Sequence, residues 1–141
     1  MSDNIYPFEE AADSEYTFMS IGNKGSVKKI VTFEEIQAGI YNVLLQDEVN
    51  GERLGDEVVT NNDDALKVIN TVATIVQISL NKPHIAAVHI AGSTEQRTKA
   101  YQRRIFRELK SFAILGQKDE AEPFEPVTGN ADYVAFLILS K

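Results

Sequence analysis

The chain has 141 residues, 43% of them hydrophobic, which suits one domain with a single continuous core. Its 21 acidic residues exceed the 14 basic ones, and the net charge of -7 opposes general attraction to nucleic acid or anionic membranes. The absence of cysteine excludes disulfides and thiolate chemistry. No apolar run approaches the roughly 20 residues of a membrane span, and residues 1–15 lack the basic residues that begin a signal peptide. We therefore expect a soluble, cytoplasmic protein.

The N-terminal third predicts an arm followed by strands. Residues 1–14 are acidic, and we predict an arm there that lies outside the core and is either mobile or docked by the short cluster at residues 5–8, with a single domain over 15–141. From Glu15 onward apolar and polar residues alternate with a period of two, as in half-buried strands. This alternation predicts a three-strand meander, with a turn at 22–25 and a polar loop at 46–56. The predicted strands are 15–21, 26–36 and 40–45.

The rest of the chain predicts two helices and further strands. Asn and Asp residues at 61–64 are typical helix caps, and the apolar spacing continues to about Leu80. A second helix is predicted over 94–112, and a Pro-containing acidic loop over 117–130. Strands are predicted at 85–90, from 112 to 116, and at 133–139. We therefore predict a two-layer α+β sandwich, with a mainly antiparallel sheet and both helices on one face.

The junction between the 85–90 strand and the second helix is the sharpest candidate site. Ser93 and Thr94 lie where free backbone N–H groups and the positive end of a helix dipole favour an anion. Arg97 is in the first turn, and Arg104 is seven residues further on, on the same side. We predict an anion-binding site formed by Ser93, Thr94, Arg97, Thr98 and Arg104. The alternative interpretation is an ordinary helix cap with solvated arginines.

The second helix also predicts a basic surface made of Lys99, Arg103, Arg107 and Lys110. Such a surface on an acidic chain could bind nucleic acid, but an equally direct use is pairing with the protein's own acidic arm, its acidic loop or another subunit. Charge segregation of this kind, together with the arm, favours a homo-oligomer.

No catalytic residue, metal site or cofactor is predicted. His84 and His89 are expected on opposite faces of one strand, so they cannot share a metal there. Ser93 lacks the second glycine of a nucleophile elbow. Five acids near the predicted loops do not match an EF-hand, and surface solvation is the better account of them. These acids are Asp47, Glu48, Asp56, Asp63 and Asp64.

Several ordered blocks resemble a known pattern. The blocks are Tyr16-Thr17-Phe18-x-Ser20-x-Gly22-x-x-Gly25, Lys28-Lys29-Ile30-Val31-x-Phe33, Tyr41-Asn42, Asn61-Asn62-x-Asp64, Thr71-Val72-Ala73 and Gly92-Ser93-Thr94-x-x-Arg97-Thr98-x-x-Tyr101. Together they resemble a small uncharacterised bacterial family, a domain of unknown function seen mainly in Bacteroidetes. The resemblance implies no established activity.

The leading hypothesis is a non-enzymatic domain that binds an anionic group or a protein partner at residues 92–104. Arg97 and Thr98 are the best candidates, because neither a core nor a helix cap requires them. Two alternatives stay open at this point. One is an enzyme acting on a phosphorylated or nucleotide substrate, with a loop acid as base. The other is nucleic-acid binding through the basic helix 97–110.

Overall fold

The protein is built on one large β-sheet, in a computed structural model that describes residues 4–12, 14–53, 64–91, 99, 102–103, 107, 109, 111–128 and 131–140. These residues contain nine strands and one continuous helix. The strands are β1 (Phe8–Ala12), β2 (Glu15–Gly22), β3 (Gly25–Gln37), β4 (Ile40–Val49), β5 (Glu52–Arg53), β6 (Ala87–Ile90), β7 (Ala113–Gln117), β8 (Glu125–Pro126) and β9 (Ala135–Leu139). The helix, α1, spans Ala65–Ser79 and separates β5 from β6 along the chain.

The strand order across the sheet is β1-β2-β3-β4-β6-β9-β7-β8, and β5 pairs with the end of β4. β4 and β6 are parallel, with Ile40 opposite Ala87 and Asn42 opposite His89. All other neighbouring pairs are antiparallel. A parallel pair requires a long crossover, and the segment that contains α1 provides it. The sheet is therefore mixed.

The predicted two-layer α+β sandwich with two helices on one face is wrong. Nine strands in one mixed sheet dominate the described residues. The additional strands β1, β5 and β8 come from segments that the sequence assigned to the arm and to loops. Such short strands border water, so they need no apolar run that a periodicity search would detect. Of the predicted second helix, Lys99, Gln102, Arg103 and Arg107 are helical, whereas Phe112 is not.

The end of β4 shows a turn signal that the prediction missed. The predicted loop at 46–56 in fact continues β4 to Val49 and then turns back into β5. Asn50 and Gly51 both adopt positive φ, at 54° and 83°. Two central residues with positive φ match the twist of flanking strands, and Asn-Gly is the sequence that best tolerates this conformation. This turn extends β4 far enough to bring Asp47 into the sheet.

One face of the sheet packs against α1 and forms the core. Alternate residues of the strands point toward the helix, as the period of two requires. The core side chains of β2, β3 and β4 are Tyr16, Phe18, Val31, Phe33, Val43 and Leu45. Those of α1 are Val68, Val72, Ile75 and Val76, and β6 and β9 add Val88, Ile90, Phe136 and Ile138. This inner face is continuous from β2 to β9.

The arm lies against α1, so the expectation that it lies outside the core is wrong. Tyr6 is 4% exposed and belongs to the core cluster. Its backbone N–H donates to Thr71 Oγ1 at 2.8 Å, and the Asn70 side chain donates to the carbonyl of Asn4 at 3.2 Å. The helix therefore buries Asn70 and Thr71, which its apolar spacing assigns to the solvent side, while Leu66, which the same spacing assigns to the core side, is exposed. The arm explains why this side of the helix faces the protein, because its backbone forms hydrogen bonds with these polar helix side chains.

Candidate functional site

The described part of the predicted basic surface is a ridge on one side of a helix. Lys99, Arg103 and Arg107 are helical and exposed, and they are spaced four residues apart. This spacing places them within about 80° of each other around a helix axis. We call these three residues the basic ridge. The predicted residues Ser93, Thr94, Arg97, Thr98, Arg104 and Lys110 lie outside the described residues.

The side of the helix away from the basic ridge is fixed to the protein. The Gln102 side chain donates a hydrogen bond to the carbonyl of Ala131 at 2.9 Å. Leu109 is completely buried in the core. Helical spacing places Gln102 about 100° around the axis from the centre of the ridge, and Leu109 lies in a bend after the last described helical residue. The contacts of these two residues therefore direct the ridge away from the core.

The predicted loop acids have separate structural roles, and the prediction of surface solvation is wrong for Asp47. Asp47 is fully buried in β4 and accepts a hydrogen bond from Lys29 Nζ at 2.7 Å. Lys29 is 1% exposed and lies directly opposite Asp47 in the β3–β4 register. Glu48, on the other face, pairs with Lys28 at 3.6 Å. Asp56 and Asp63 lie outside the described residues.

A buried ion pair is a costly feature. Each charge loses hydration, and the mutual attraction repays this loss only when the geometry is good and further hydrogen bonds are present. Lys29 and Asp47 have a short contact between strands and make further interactions. The pair therefore specifies the register of β3 on β4, because a slip of one residue would place the two charges on opposite faces of the sheet.

Asp64, Tyr6 and Ser20 form a second polar group, which we call the Asp64 cluster. Asp64 Oδ2 lies 2.5 Å from the hydroxyl of Tyr6 and 2.5 Å from that of Ser20. The Tyr6 hydroxyl also accepts the Ile21 N–H at 3.1 Å. Asp64 is the N-cap residue of α1, yet its side chain makes no capping hydrogen bond. The Asp64 carboxylate, which was predicted to cap the helix, instead joins the arm and β2 to the start of the helix.

The electrostatics of the Asp64 cluster favour a neutral tyrosine. Burial, and then the hydrogen bond to Asp64, raise the pKa of Tyr6 above its ordinary value of 10.0. The ring stacks on Phe18 at 5.7 Å between centroids, and Lys67 Nζ lies 4.5 Å from the Tyr6 ring centre. These contacts hold the Tyr6 ring from three sides. The cluster has the character of a structural clamp for the arm.

The two histidines lie apart, and the prediction that they share a strand is wrong. β6 begins at Ala87, so His84 precedes it and is exposed, with its ring edge-on to Tyr41. His89 Nδ1 lies 2.7 Å from Asn42 Oδ1. An amide oxygen can only accept, so this contact places the ring hydrogen on Nδ1. Burial lowers the pKa of His89 below 6.5. Within the described ranges, no three His, Cys, Asp or Glu side chains are grouped to hold a metal ion.

Sequence reasoning missed the polar residues that the fold brings inside. Period-two alternation along the predicted 26–36 strand places Lys29 on the same face as Val31 and Phe33, and this placement was the available signal. A charge at an inward position needs a partner. The partner, Asp47, had been assigned to a loop. Ser20 and Asp64 were part of the ordered blocks, but their contact joins positions 44 residues apart.

The fold and these contacts define a mixed β-sheet domain with a docked N-terminal arm and a basic ridge. The chain belongs to a family of unknown function (DUF6934), whose model matches residues 2–141. The predicted resemblance is thus confirmed as far as a domain of unknown function, and the motif blocks and taxonomic distribution stay predictions. No curated protein and no solved structure matches the chain. Within the described residues, no helix has the length and apolar character needed to cross a membrane.

Proposed function

We propose that the protein is a non-enzymatic binding domain that takes up an anionic group through the basic ridge and the adjacent 92–104 junction. The observation that carries the proposal is the exposure of Lys99, Arg103 and Arg107 on one helix side of a chain with net charge -7. Residues 95–110 contain six basic and two acidic residues, so positive charge is concentrated there. Such a local positive region attracts anions despite the negative total.

The junction enters the proposal on sequence grounds. Ser93 and Thr94 offer hydroxyls near the helix start that the sequence predicts, and Arg97, Thr98 and Arg104 offer donors that match a phosphate or carboxylate. A guanidinium donates two parallel hydrogen bonds to such a group, which a lysine cannot do. We propose that the junction selects the anionic group and that the basic ridge increases the rate of its association.

A thermal-shift screen with nucleotides, phosphosugars, an acidic decapeptide and a short RNA tests this proposal. We expect an anion to stabilise the wild type and to stabilise Arg97→Ala much less. A second variant, Arg103→Gln with Arg107→Gln, changes the charge of the ridge. Lys24→Gln with Lys118→Gln is its control, because both of these residues are exposed elsewhere and the change in net charge is equal.

The pattern of responses decides between hypotheses. Equal stabilisation of all variants by every anion rejects the proposal. Preference for RNA, with affinity that falls steeply with salt, favours the nucleic-acid alternative instead. We also propose a cytoplasmic homo-oligomer, and light scattering over a range of concentrations measures its mass. A monomer at all concentrations rejects the oligomer without affecting the anion site.

A further inference from the structure

The N-terminal arm contacts the rest of the domain at both of its ends. Near its start, Tyr6 enters the Asp64 cluster and its backbone N–H donates to Thr71 of α1. Its strand, β1, pairs with β2 at the end of the sheet. Near its other end, the Glu10 carboxylate lies 2.7 Å from Lys82 Nζ, just beyond α1. We call β2, α1 and Lys82 the arm seat.

A short turn joins the arm to its seat. Ala12 pairs with Glu15, so residues 13 and 14 make the turn between β1 and β2. Ser14 has a φ of 63°, in the left-handed region that a residue with a Cβ disfavours. Its carbonyl accepts the Phe33 N–H at 2.8 Å, which fixes Ser14 against β3. The closed hairpin therefore keeps backbone strain at its hinge.

Extension of this turn releases the strain. When residues 12–15 form an extended strand, Ser14 returns to negative φ and β1 points away from its own β2. The arm then reaches the seat of a second copy, whose own arm returns to the first. The contacts between arm and seat are the same in the closed and exchanged forms, so the two forms differ mainly at the hinge. A short hinge under strain favours such an exchange.

We propose that two copies of the chain exchange their N-terminal arms, so that Tyr6 of each copy enters the Asp64 cluster of the other. This inference rests on the proposed homo-oligomer and names the contact that holds it together. The dimer has twofold symmetry, because each copy gives the same segment and receives it at the same surface. The arm of a closed chain competes at an effective concentration of the order of mM, so the exchanged form increases with protein concentration.

Cross-linking between two cysteine variants tests the exchange. The chain has no cysteine, so Glu10→Cys and Lys82→Cys each introduce a single thiol. The two native side chains are 42% and 28% exposed, so a reagent can reach both positions. The variants are unfolded together in urea, refolded at about 1 mM, near the effective concentration of the closed arm, and treated with a short bis-maleimide. We expect a covalent heterodimer, because arm exchange brings position 10 of one copy to position 82 of the other.

A control pair and a hinge variant complete the test. Lys28→Cys mixed with Glu48→Cys is the matched control, since this ion pair joins β3 to β4 and does not cross the hinge. Adding Ser14→Gly to both variants should reduce the heterodimer about tenfold, because glycine adopts positive φ without strain in the closed hairpin.

The amount of heterodimer decides the outcome. Heterodimer no more abundant than in the control pair, or equal with and without Ser14→Gly, overturns the exchange. Light scattering separates this inference from the proposed homo-oligomer: a dimer without the link between positions 10 and 82 retains the oligomer and rejects the exchange. Anion binding at the basic ridge is independent of both results.

Discussion

The inner faces of the two halves of the sheet consist of different types of residue. In the N-terminal half, β1–β5, the inward positions include the charged Lys29 and Asp47 and the polar Ser20. In the C-terminal half, β6–β9, the inward positions of β6 and β9 are apolar and buried. These are Val88, Ile90, Phe136 and Ile138. Both halves pack into one core, so the core itself does not require buried charge.

This difference indicates what the polar groups are for. Apolar contacts are non-directional and tolerate alternative packing, whereas an ion pair or a hydroxyl–carboxylate contact has one good geometry. The N-terminal half contains the arm and the longest strands, which have the most alternative registers. We infer that its polar contacts select one register and one position of the arm. Substitutions in the two halves should therefore differ in their effect on stability.

Removal of one charge in the N-terminal half should have the largest effect. Lys29→Met leaves Asp47 buried without its cation, and we expect a loss of about 3–5 kcal/mol in the free energy of unfolding. The double change Lys29→Met with Asp47→Leu should recover most of this loss. Lys28→Met, one residue away on the exposed face, should cost less than about 1 kcal/mol. Urea unfolding measures all three, and a small effect of Lys29→Met would contradict the inferred role.

A methyl group added at Gly116 tests how tightly the C-terminal half is packed. A Cβ at Gly116 would lie 2.4 Å from Cδ1 of the Tyr133 ring. Tyr133 is 5% exposed and its hydroxyl accepts the Thr128 N–H, so the ring cannot move freely. We expect Gly116→Ala to cost about 1–3 kcal/mol through overpacking. The same change combined with Tyr133→Val should cost less than the sum of the two single changes, and additive losses would rule out the contact.

The attachment of the arm predicts a smaller effect. Tyr6→Phe removes the hydroxyl that donates to Asp64 and accepts from Ile21. We expect a loss of about 1–2 kcal/mol and faster amide exchange at Ile21, because its N–H loses a partner. Tyr41→Phe is the control, since no hydrogen bond of the Tyr41 hydroxyl is present within the described part of the chain. Equal exchange rates at Ile21 in Tyr6→Phe and wild type would refute the clamp.

The smallest expected effect concerns pH and the C-terminal half. Burial lowers the pKa of His89 in the folded protein, whereas the unfolded chain takes up a proton near the ordinary pH of about 6.5. Acid therefore favours unfolding: the contribution of neutral His89 is complete above about pH 6.5 and is lost as the pH falls toward the folded pKa. Melting curves from pH 7.5 to 5.5 should show a steeper loss in wild type than in His89→Gln. Parallel curves for the two proteins would contradict this assignment, and His84→Gln is the exposed control.

Sequence alone located the long strands but not their partners. Alternation over residues 15–45 indicated β2, β3 and most of β4, because core side chains of those strands alternate with side chains on the opposite face of the sheet. It could not show that Asp47 continues β4 opposite Lys29, since three polar residues in succession read as a loop. The hairpin at Asn50-Gly51 was nonetheless visible as a turn sequence.

The candidate sites were harder to predict from the sequence than the strands. The basic ridge follows from spacing along one helix, so residues 99, 103 and 107 could be grouped in advance. The Asp64 cluster depends on where the arm docks, and that docking is a contact between segments far apart in the sequence. The cluster at residues 5–8 indicated that docking was possible, but it did not decide the matter, because a short apolar cluster in an acidic segment is compatible with either exposure or burial.

The position of β9 has a consequence for how the protein is made. It is the last described strand in the chain, yet it lies between β6 and β7 in the sheet. During synthesis, β6 and β7 therefore leave the ribosome with facing edges that have no strand between them. The N-terminal meander can form from neighbouring segments as they emerge, but the C-terminal half must wait for residues 135–139. A nascent chain lacking them exposes two strand edges, and such edges are the sites at which chaperones or aggregation act.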